Sequence, residues 1–273
     1  MNKNSNNFVV KLILCFLLCI GINNLCNAQV LNIDRENETD TVFHKFKAFC
    51  TFSFSNEKQK KKLIDFINTN EADYFLKNNY IFIFLSQVDL AFNGPIVNEN
   101  NGFFQLRFRD NDKRKVSPDI FTQYQWNGIQ GMEYRALAGI NARFKWLEKS
   151  KSDLYTSIGV FYENEKWNPF LGSFAYKTDS LYIVYRNMLR LNLTAKFALK
   201  LGKSIDYVGS TFLQFPLNNN FTNPRWVFDS NLYFVINKYL SFKIHFDYNL
   251  DNFRPLPIDT YYYSLTTGIQ IKI

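Results

Sequence analysis

Five segments of the chain alternate between apolar and polar residues. They cover residues 134–146, 185–199, 225–236, 239–250 and 260–273. In the last segment, for example, Leu265 and Ile269 share one face while Ser264 and Gln270 share the other. Every Lys, Arg, Asp and Glu of the five segments lies on the polar face. Because a period of two residues is that of a β-strand, the pattern predicts an all-β protein whose strands have one apolar and one polar face.

The rest of the chain extends this prediction to about twelve strands. Their predicted ranges are 43–54, 61–75, 80–90, 103–109, 118–126, 132–146, 153–163, 182–199, 204–214, 225–236, 239–250 and 260–273. An even number closes an antiparallel barrel with both chain ends at one rim. Ten strands stay open as an alternative, because the fourth strand is short and because Leu63, Phe66 and Asn70 could equally mark a helix within 56–79.

Two architectures produce long alternating strands: a soluble barrel with its apolar face inward, and a membrane barrel with its apolar face toward lipid. The predicted strands of a dozen or more residues exceed the usual length of about 5 to 6 in soluble proteins. Aromatic residues also stand near the strand ends, as an interfacial girdle would place them; examples are Trp146, Tyr185, Trp226 and Tyr261. The sequence therefore favours a closed antiparallel transmembrane β-barrel, and a soluble periplasmic barrel that binds a small apolar ligand is the alternative.

The connections between the predicted strands alternate in length. The short ones are 76–79, 147–152, 200–203 and 237–238, and the long ones are 91–102, 164–181, 215–224 and 251–259. Transmembrane barrels combine short periplasmic turns with longer outer loops. The connections therefore predict that both ends of the barrel domain, 43–273, lie on the periplasmic side.

The first 28 residues have the features of a secretory signal peptide. Lys3 precedes an apolar stretch, and the run that ends at Ala28 offers small residues where a signal peptidase cleaves. We expect cleavage after Ala28, a periplasmic segment over 29–42 and export to the outer membrane. Only Cys50 of the four cysteines would remain, so an intrachain disulfide is excluded in the mature chain.

Several stretches resemble a known family. They are Ser117–Asn127, Gly131–Arg143, Gly159–Glu165 and the pair Arg186 and Asn187. In this order they resemble the domain-of-unknown-function 481 (DUF481) family, also called the salt-induced outer membrane protein family, over about residues 43–273. The resemblance implies an outer-membrane barrel, and it implies no established activity or binding residues. A C-terminal apolar residue, Ile273, after an alternating strand suits recognition by the barrel-assembly machinery.

Candidate catalytic chemistry is sparse. The chain has two histidines, His44 and His245, and it lacks Gly-rich phosphate loops and the common metal-binding motifs, so neither a metal nor a cofactor is expected. His245 shares a strand face with Lys243 and Asp247, which leaves an outer-membrane lipid-modifying enzyme as an alternative to a non-enzymatic barrel. Glu163 and Glu165 are expected to be a solvated pair near a loop, and Asp153 is the third carboxylate considered with them.

The polar strand faces predict which side chains line the lumen. The candidates are Arg135, Arg143, Lys145, Arg186, Arg190, Lys196, Arg225, Lys243, His245 and Asp247. If they line water, the lumen favours anions. If they interlock with Asp89, Asp229, Asp247 and with Gln or Asn side chains, they form a plug. A twelve-stranded barrel is narrow, which favours the plug.

The expected function is accordingly a structural or envelope-stress role, with a small anion-favouring pore as a variant. The chain carries 32 Lys and Arg against 24 Asp and Glu, but these basic residues are dispersed, and an exported chain rarely meets nucleic acid. The expected partners are therefore outer-membrane lipid and the barrel-assembly machinery, with no nucleic acid, and the barrel is expected to be a monomer.

Overall fold

The computed structural model describes residues 45–58, 62–76, 80–93, 96–110, 115–149, 151–171, 182–218, 221–256 and 259–272. The predicted signal peptide, the segment 29–42 and His44 lie outside the described residues. No helix among the residues described has the length and apolar character of a membrane span.

The described chain forms one closed antiparallel barrel of twelve strands, as the alternation predicts. The strands are β1 (Phe46–Lys58), β2 (Lys62–Phe75), β3 (Tyr80–Asn93), β4 (Ile96–Asp110), β5 (Val116–Asn127), β6 (Met132–Lys149), β7 (Ser152–Trp167), β8 (Val184–Lys200), β9 (Ile205–Pro216), β10 (Arg225–Val235), β11 (Leu240–Asp251) and β12 (Tyr261–Lys272). Each strand pairs with its neighbours in the chain, and β1 pairs with β12. The helix considered within 56–79 is wrong, because β2 pairs along its length with β1 and over nearly all of it with β3.

Two predicted boundaries are wrong for a common reason. The polar run at 98–101 suggests a loop, yet β3 reaches Asn93 and β4 begins at Ile96, so the predicted connection 91–102 is almost entirely strand. Strand β7 likewise continues to Trp167 instead of ending at Glu163. Inside this barrel a polar side chain can face the lumen, so polarity does not mark the end of a strand.

The barrel is polar inside and apolar outside. Ile140, in the middle of β6, has 58% of its surface exposed, whereas the neighbouring inward position Asn141 has 6% exposed. The outward rows share this exposure on every side of the barrel; examples are Phe54, Phe84, Leu106, Ile120, Ile158, Leu189 and Ile269. Apolar side chains fill part of the interior as well, in one cluster of Phe121, Leu137, Phe161, Phe212 and Val227 and another of Ile81, Ile83, Leu85 and Phe103.

The two ends of the barrel differ. The end that carries the first residue of β1 and the last of β12 is here called the termini rim, and its connections span 76–79, 111–115, 150–151, 201–204 and 236–239. The opposite end, the loop rim, carries the longer connections 168–183, 217–224 and 252–260, together with short turns. The predicted asymmetry therefore holds for three connections of the loop rim.

The connection between β11 and β12 folds into the mouth of the barrel at the loop rim. Leu256 in this connection is buried against Met132 and Trp167. Arg186 of β8 donates a hydrogen bond from Nη1 to the Phe253 carbonyl oxygen at 2.5 Å. Gly131, with a φ of 76°, accepts a hydrogen bond from the Asn168 backbone NH at 2.7 Å. These contacts hold three connections together over the lumen.

Candidate functional site

All ten side chains selected from the sequence lie at inward-facing positions of the barrel, but the structure divides them among separate regions. Arg135, Arg186, Arg190 and Arg225 lie together near the loop rim. Arg143 and Lys196 line a cavity closer to the termini rim, and Lys145 pairs with Glu148 at 2.8 Å. Lys243 and His245 line a third region beside β12, and Asp247 is bonded to Ser264 there.

Glu163 is the centre of the first region. Its Oε2 accepts hydrogen bonds from Arg135 Nε at 2.8 Å and Nη2 at 2.5 Å, and its Oε1 accepts one from Arg190 Nε. Arg225 Nη1 lies 3.5 Å from the same carboxylate. Both Glu163 and Arg190 are completely shielded from solvent. Charged groups so deeply buried are stable only when they are paired and hydrogen-bonded, so each depends on the others.

Glu165, two residues further along β7, contacts two of the same arginines and a further one, Arg186, from the loop-rim side. Arg186 donates to Glu165 Oε2 from Nε at 2.8 Å, and Trp167 Nε1 donates to the same oxygen at 2.9 Å. Arg135 and Arg225 lie 3.3 and 3.4 Å from Oε1. Because side chains at i and i+2 of a strand face the same way, β7 aims both carboxylates into the lumen.

Asp251 at the end of β11 completes this group. Arg225 donates to its Oδ2 from Nε at 2.8 Å, which spans from β10 to the neighbouring strand. We call the four arginines with Glu163, Glu165 and Asp251 the arginine layer. With four cations and three anions linked by ion pairs, the layer is nearly neutral and does not form a basic channel wall.

The expectation of a solvated pair at Glu163 and Glu165 is wrong. Both residues lie within β7, which continues past them to Trp167, and both are fully buried. Asp153 does not join them, since it lies at the opposite end of β7, where it is in register with Glu148 of β6. Their position on the inward parity of β7, together with the arginines of adjacent strands, is the sequence signal that could have identified the layer.

Two of the acids expected to interlock with the basic residues, Asp229 and Asp247, lie outside the arginine layer. Asp229 accepts a hydrogen bond from Asn231 Nδ2 at 2.5 Å and lies 2.7 Å from His245 Nε2, while Asp247 accepts one from Ser264. Glu163, Glu165 and Asp251 are the partners of the arginine layer instead. The arginines of the lumen are therefore held in ion pairs, but by Glu163, predicted at the end of a strand, and by Glu165 and Asp251, predicted in connections.

A row of amide side chains lies beside the layer, where the sequence predicted Gln or Asn partners without identifying them. Gln105 Nε2 donates to Gln123 Oε1 at 2.6 Å, and Gln123 Nε2 donates to Gln125 Oε1 at 2.5 Å. All three are buried on the inward faces of β4 and β5. Neutral amides carry little signal in a sequence, yet they extend the hydrogen-bonded filling of the lumen toward its middle.

A basic cavity of about 430 Å³ lies on the termini-rim side of the layer. Its charged lining residues are Arg107, Arg109, Arg143, Lys196 and Asp119. Arg107 Nη2 lies 3.3 Å from Asp119 Oδ2, and the Arg143 guanidinium lies 3.8 Å from the ring centre of Tyr155. Among the lining residues described, four are cationic and one is anionic, so the lining carries a net positive charge.

His245 faces the lumen and not the lipid side of the wall. Its Nε2 lies 2.7 Å from Asp229 Oδ2, and the hydroxyl of Thr266 lies 3.5 Å from its Nδ1. The second distance is too long for a good hydrogen bond to a nucleophile. No three His, Cys, Asp or Glu side chains in the described part of the chain converge as a metal site requires.

No protein-family model and no curated protein matches the chain, and the resemblance to the DUF481 family stays a prediction. Among solved structures, the chain is similar to the NanC porin at 9% identity and a TM-score of 0.44, over 83% of this chain and 97% of the porin. It is also similar to the translocator domain of the autotransporter NalP from Neisseria meningitidis at 10% identity and a TM-score of 0.47, over 86% and 90% of the two chains. The KdgM porin in complex with disordered oligogalacturonate gives 9% identity and a TM-score of 0.40, over 83% and 98%.

Proposed function

We propose that this chain is a monomeric outer-membrane β-barrel whose lumen is closed by its own side chains and whose role in the envelope is structural. The observation that carries the proposal is the inverted polarity of the wall, with exposed apolar rows outside and an arginine layer inside that is almost entirely buried. The DUF481 resemblance adds an envelope-stress role to the proposal. We expect insertion by the barrel-assembly machinery after signal-peptide cleavage.

The outer surface supports a bilayer location. Its strands are 11 to 18 residues long, enough to cross the hydrocarbon at a tilt, for which about 9 to 11 suffice. Exposed aromatic side chains stand near both rims: Tyr74, Tyr80, Trp146 and Tyr239 at the termini rim, and Tyr124, Tyr185, Trp226 and Tyr261 at the loop rim. A soluble barrel for an apolar ligand needs the opposite arrangement, an apolar lumen and a polar exterior.

The closure of the lumen supports a structural role over a transport role. The arginine layer links β6, β7, β8, β10 and β11 through side chains that are buried or nearly so, and the connection that carries Leu256 packs over the mouth. A side chain held by several charge-assisted hydrogen bonds cannot move aside at low cost. Solutes would have to break that layer before they could pass.

Single-channel recording tests this closure. We expect the purified chain in a planar bilayer to show no steady open conductance, because the ion-paired arginine layer and the connection over the mouth obstruct the lumen. A folded barrel, verified by its altered electrophoretic mobility before heating, is the required control. Steady open channels from the wild-type protein would contradict the proposal.

A small anion pore is the second candidate, and the basic cavity favours it. If channels do appear, a reversal potential in a salt gradient measures their selectivity. The pore hypothesis expects anion selectivity that falls when Arg143 and Lys196 are both replaced by Glu, because these residues supply two of the four cations at the cavity. Unchanged selectivity in that variant would remove the basic cavity from any conduction path.

The enzyme alternative is tested by His245→Ala. We expect the lipid composition of cells or vesicles containing this variant to equal that of the wild type, since His245 is hydrogen-bonded to Asp229 and no hydroxyl or thiol of the described residues is well placed beside it. Mass spectrometry of the extracted lipids gives the measurement. A lipid product made by the wild type and lost in His245→Ala would overturn the non-enzymatic proposal.

A further inference from the structure

The connections at the two rims differ in charge. At the termini rim, the described residues of the connections, together with the residue before β1, include five lysines and no acid: Lys45, Lys115, Lys151, Lys203 and Lys238. At the loop rim, the described residues of the connections include one cation, Arg254, and one anion, Asp259. We call the five lysines the lysine ring. Among the described connections, the positive charge is therefore concentrated at one end of the barrel.

The lysine ring surrounds the barrel and does not form a single patch. One lysine stands beside β1, and the others lie in the connections β4–β5, β6–β7, β8–β9 and β10–β11. These are five of the six places where the chain enters or turns at this rim, and the sixth, β2–β3, is described only at Leu76. Because neighbouring strands of a sheet are evenly spaced, the five lysines are distributed around the whole circumference. A partner that contacts all of them has to surround the barrel.

The charges of the lysine ring are not used within the described chain. All five lysines are exposed, and no ion pair joins any of them to another described residue. The exposed acid near the end of β6, Glu148, is already paired with Lys145 at 2.8 Å. Exposed ammonium groups of this kind can meet anions outside the protein.

The lysine ring also lies at the level expected for the membrane interface. Trp146 and Tyr239 stand at the same rim with 67% and 57% of their surfaces exposed. In membrane barrels such aromatic side chains lie at the level of the lipid headgroups. Lys238 Nζ lies 4.6 Å from the centre of the Tyr239 ring, and Lys151 follows Trp146 by five residues, beyond the end of β6. The lysines are therefore placed beside headgroups and outside the hydrocarbon.

We propose that the lysine ring binds the phosphate groups of anionic phospholipids in the leaflet around the termini rim. Lipid is the partner that surrounds a barrel on all sides at one height, which matches the distribution of the ring, and an anionic headgroup matches its charge. The attraction of one lysine to an anionic membrane surface corresponds to about a fivefold preference over a zwitterionic lipid. The inference rests on the membrane location proposed above and adds a lipid class and a leaflet to it.

Quenching of tryptophan fluorescence by brominated lipids measures this preference at each rim. Trp126→Phe with Trp226→Phe leaves Trp146 as the reporter of the termini rim, and Trp126→Phe with Trp146→Phe leaves Trp226 as the reporter of the loop rim. Trp167 is buried in the mouth and stays in both. In phosphatidylcholine vesicles at low salt, we expect brominated phosphatidylglycerol to associate beside Trp146 about fivefold more strongly than brominated phosphatidylcholine. Beside Trp226 we expect equal association of the two lipids. Equal association beside Trp146 would overturn the proposal.

Neutralising the lysine ring shows whether its charge causes the preference. In the Trp146 reporter, four exposed lysines are replaced together: Lys115→Gln, Lys151→Gln, Lys203→Gln and Lys238→Gln. We expect the two lipids to associate equally with this variant, and with the unsubstituted ring at 1 M salt, where the Debye length is about 3 Å. Arginine at the same four positions is the matched control, because it keeps the charge, and it is expected to keep the preference.

Two results contradict the assigned site: a phosphatidylglycerol preference that survives in the glutamine variant, and an equal preference beside Trp226. A barrel that inserts into the vesicles without any lipid preference refutes this inference alone, whereas failure to insert refutes the proposed function.

Discussion

Replacing Glu163 with Ala is expected to lower the free energy of unfolding of the barrel by about 3 to 5 kcal/mol, because it leaves buried arginines without their shared carboxylate. Arg135 and Arg190 both donate to Glu163, and neither side chain can reach water without leaving the arginine layer. Urea titration of the barrel folded in lipid vesicles gives the measurement. We expect the variant to unfold at a lower urea concentration than the wild type and to insert into the vesicles with a lower yield.

The matched control is Glu133→Ala. Glu133 also pairs with a base on a neighbouring strand, Lys166 at 2.6 Å, but this ion pair is partly exposed. Partly exposed ion pairs contribute little to stability, so its loss is expected to leave the midpoint nearly unchanged. The urea midpoint of Glu163→Gln, which keeps one hydrogen-bond acceptor, is expected to lie between those of Glu163→Ala and Glu133→Ala. Equal changes of the midpoint in Glu163→Ala and Glu133→Ala would show that the arginine layer does not stabilise the folded barrel.

The alternation of residues was sufficient to predict the strands and their faces, because a membrane barrel has only two environments for a side chain. In β6, Ile140 and Arg143 are on opposite parities, and the structure places them on opposite sides of the wall. Strand ends were harder to predict. Residues 99–101 of the polar run pair with β3, the ladder shifts register at Asn98, and Asn101 faces the lumen. This part of β4 is a strand, although its composition is that of a loop.

The partners of the lumen side chains could not be predicted from parity. Which acid meets Arg190 depends on the register between β7 and β8 and on which strands face each other across the lumen, and neither is encoded in a period of two. Arg107 and Gln105 were missed because β4 also turns an aromatic residue, Phe103, inward, which weakens its alternation. The ladder between β1 and β12, which pairs Phe49–Phe52 with Ile269–Lys272, is likewise a property of the closed barrel and not of either strand alone.

Introducing a charge at the middle of the outer surface is the strongest test of the membrane location. Ile140→Arg is expected to lower the free energy of unfolding in vesicles by about 2 to 4 kcal/mol, the cost of placing an arginine at the bilayer midplane. Ile140 lies at the centre of β6, opposite Ile120 and Val160 of the adjacent strands. The same urea titration in vesicles measures the change.

Comparing an arginine at two heights along the outer surface shows whether lipid or water surrounds the barrel. Val116→Arg is the depth control, since Val116 is also an exposed outward residue but is the first residue of β5, at the termini rim, where the cost falls to about 0 to 1 kcal/mol. If the outer surface met water, both substitutions would stay within about 0.5 kcal/mol, as exposed positions do in soluble proteins. A large effect at Ile140 with a small one at Val116 requires hydrocarbon around the barrel, because only a bilayer makes the cost of an arginine depend on its height along the strand.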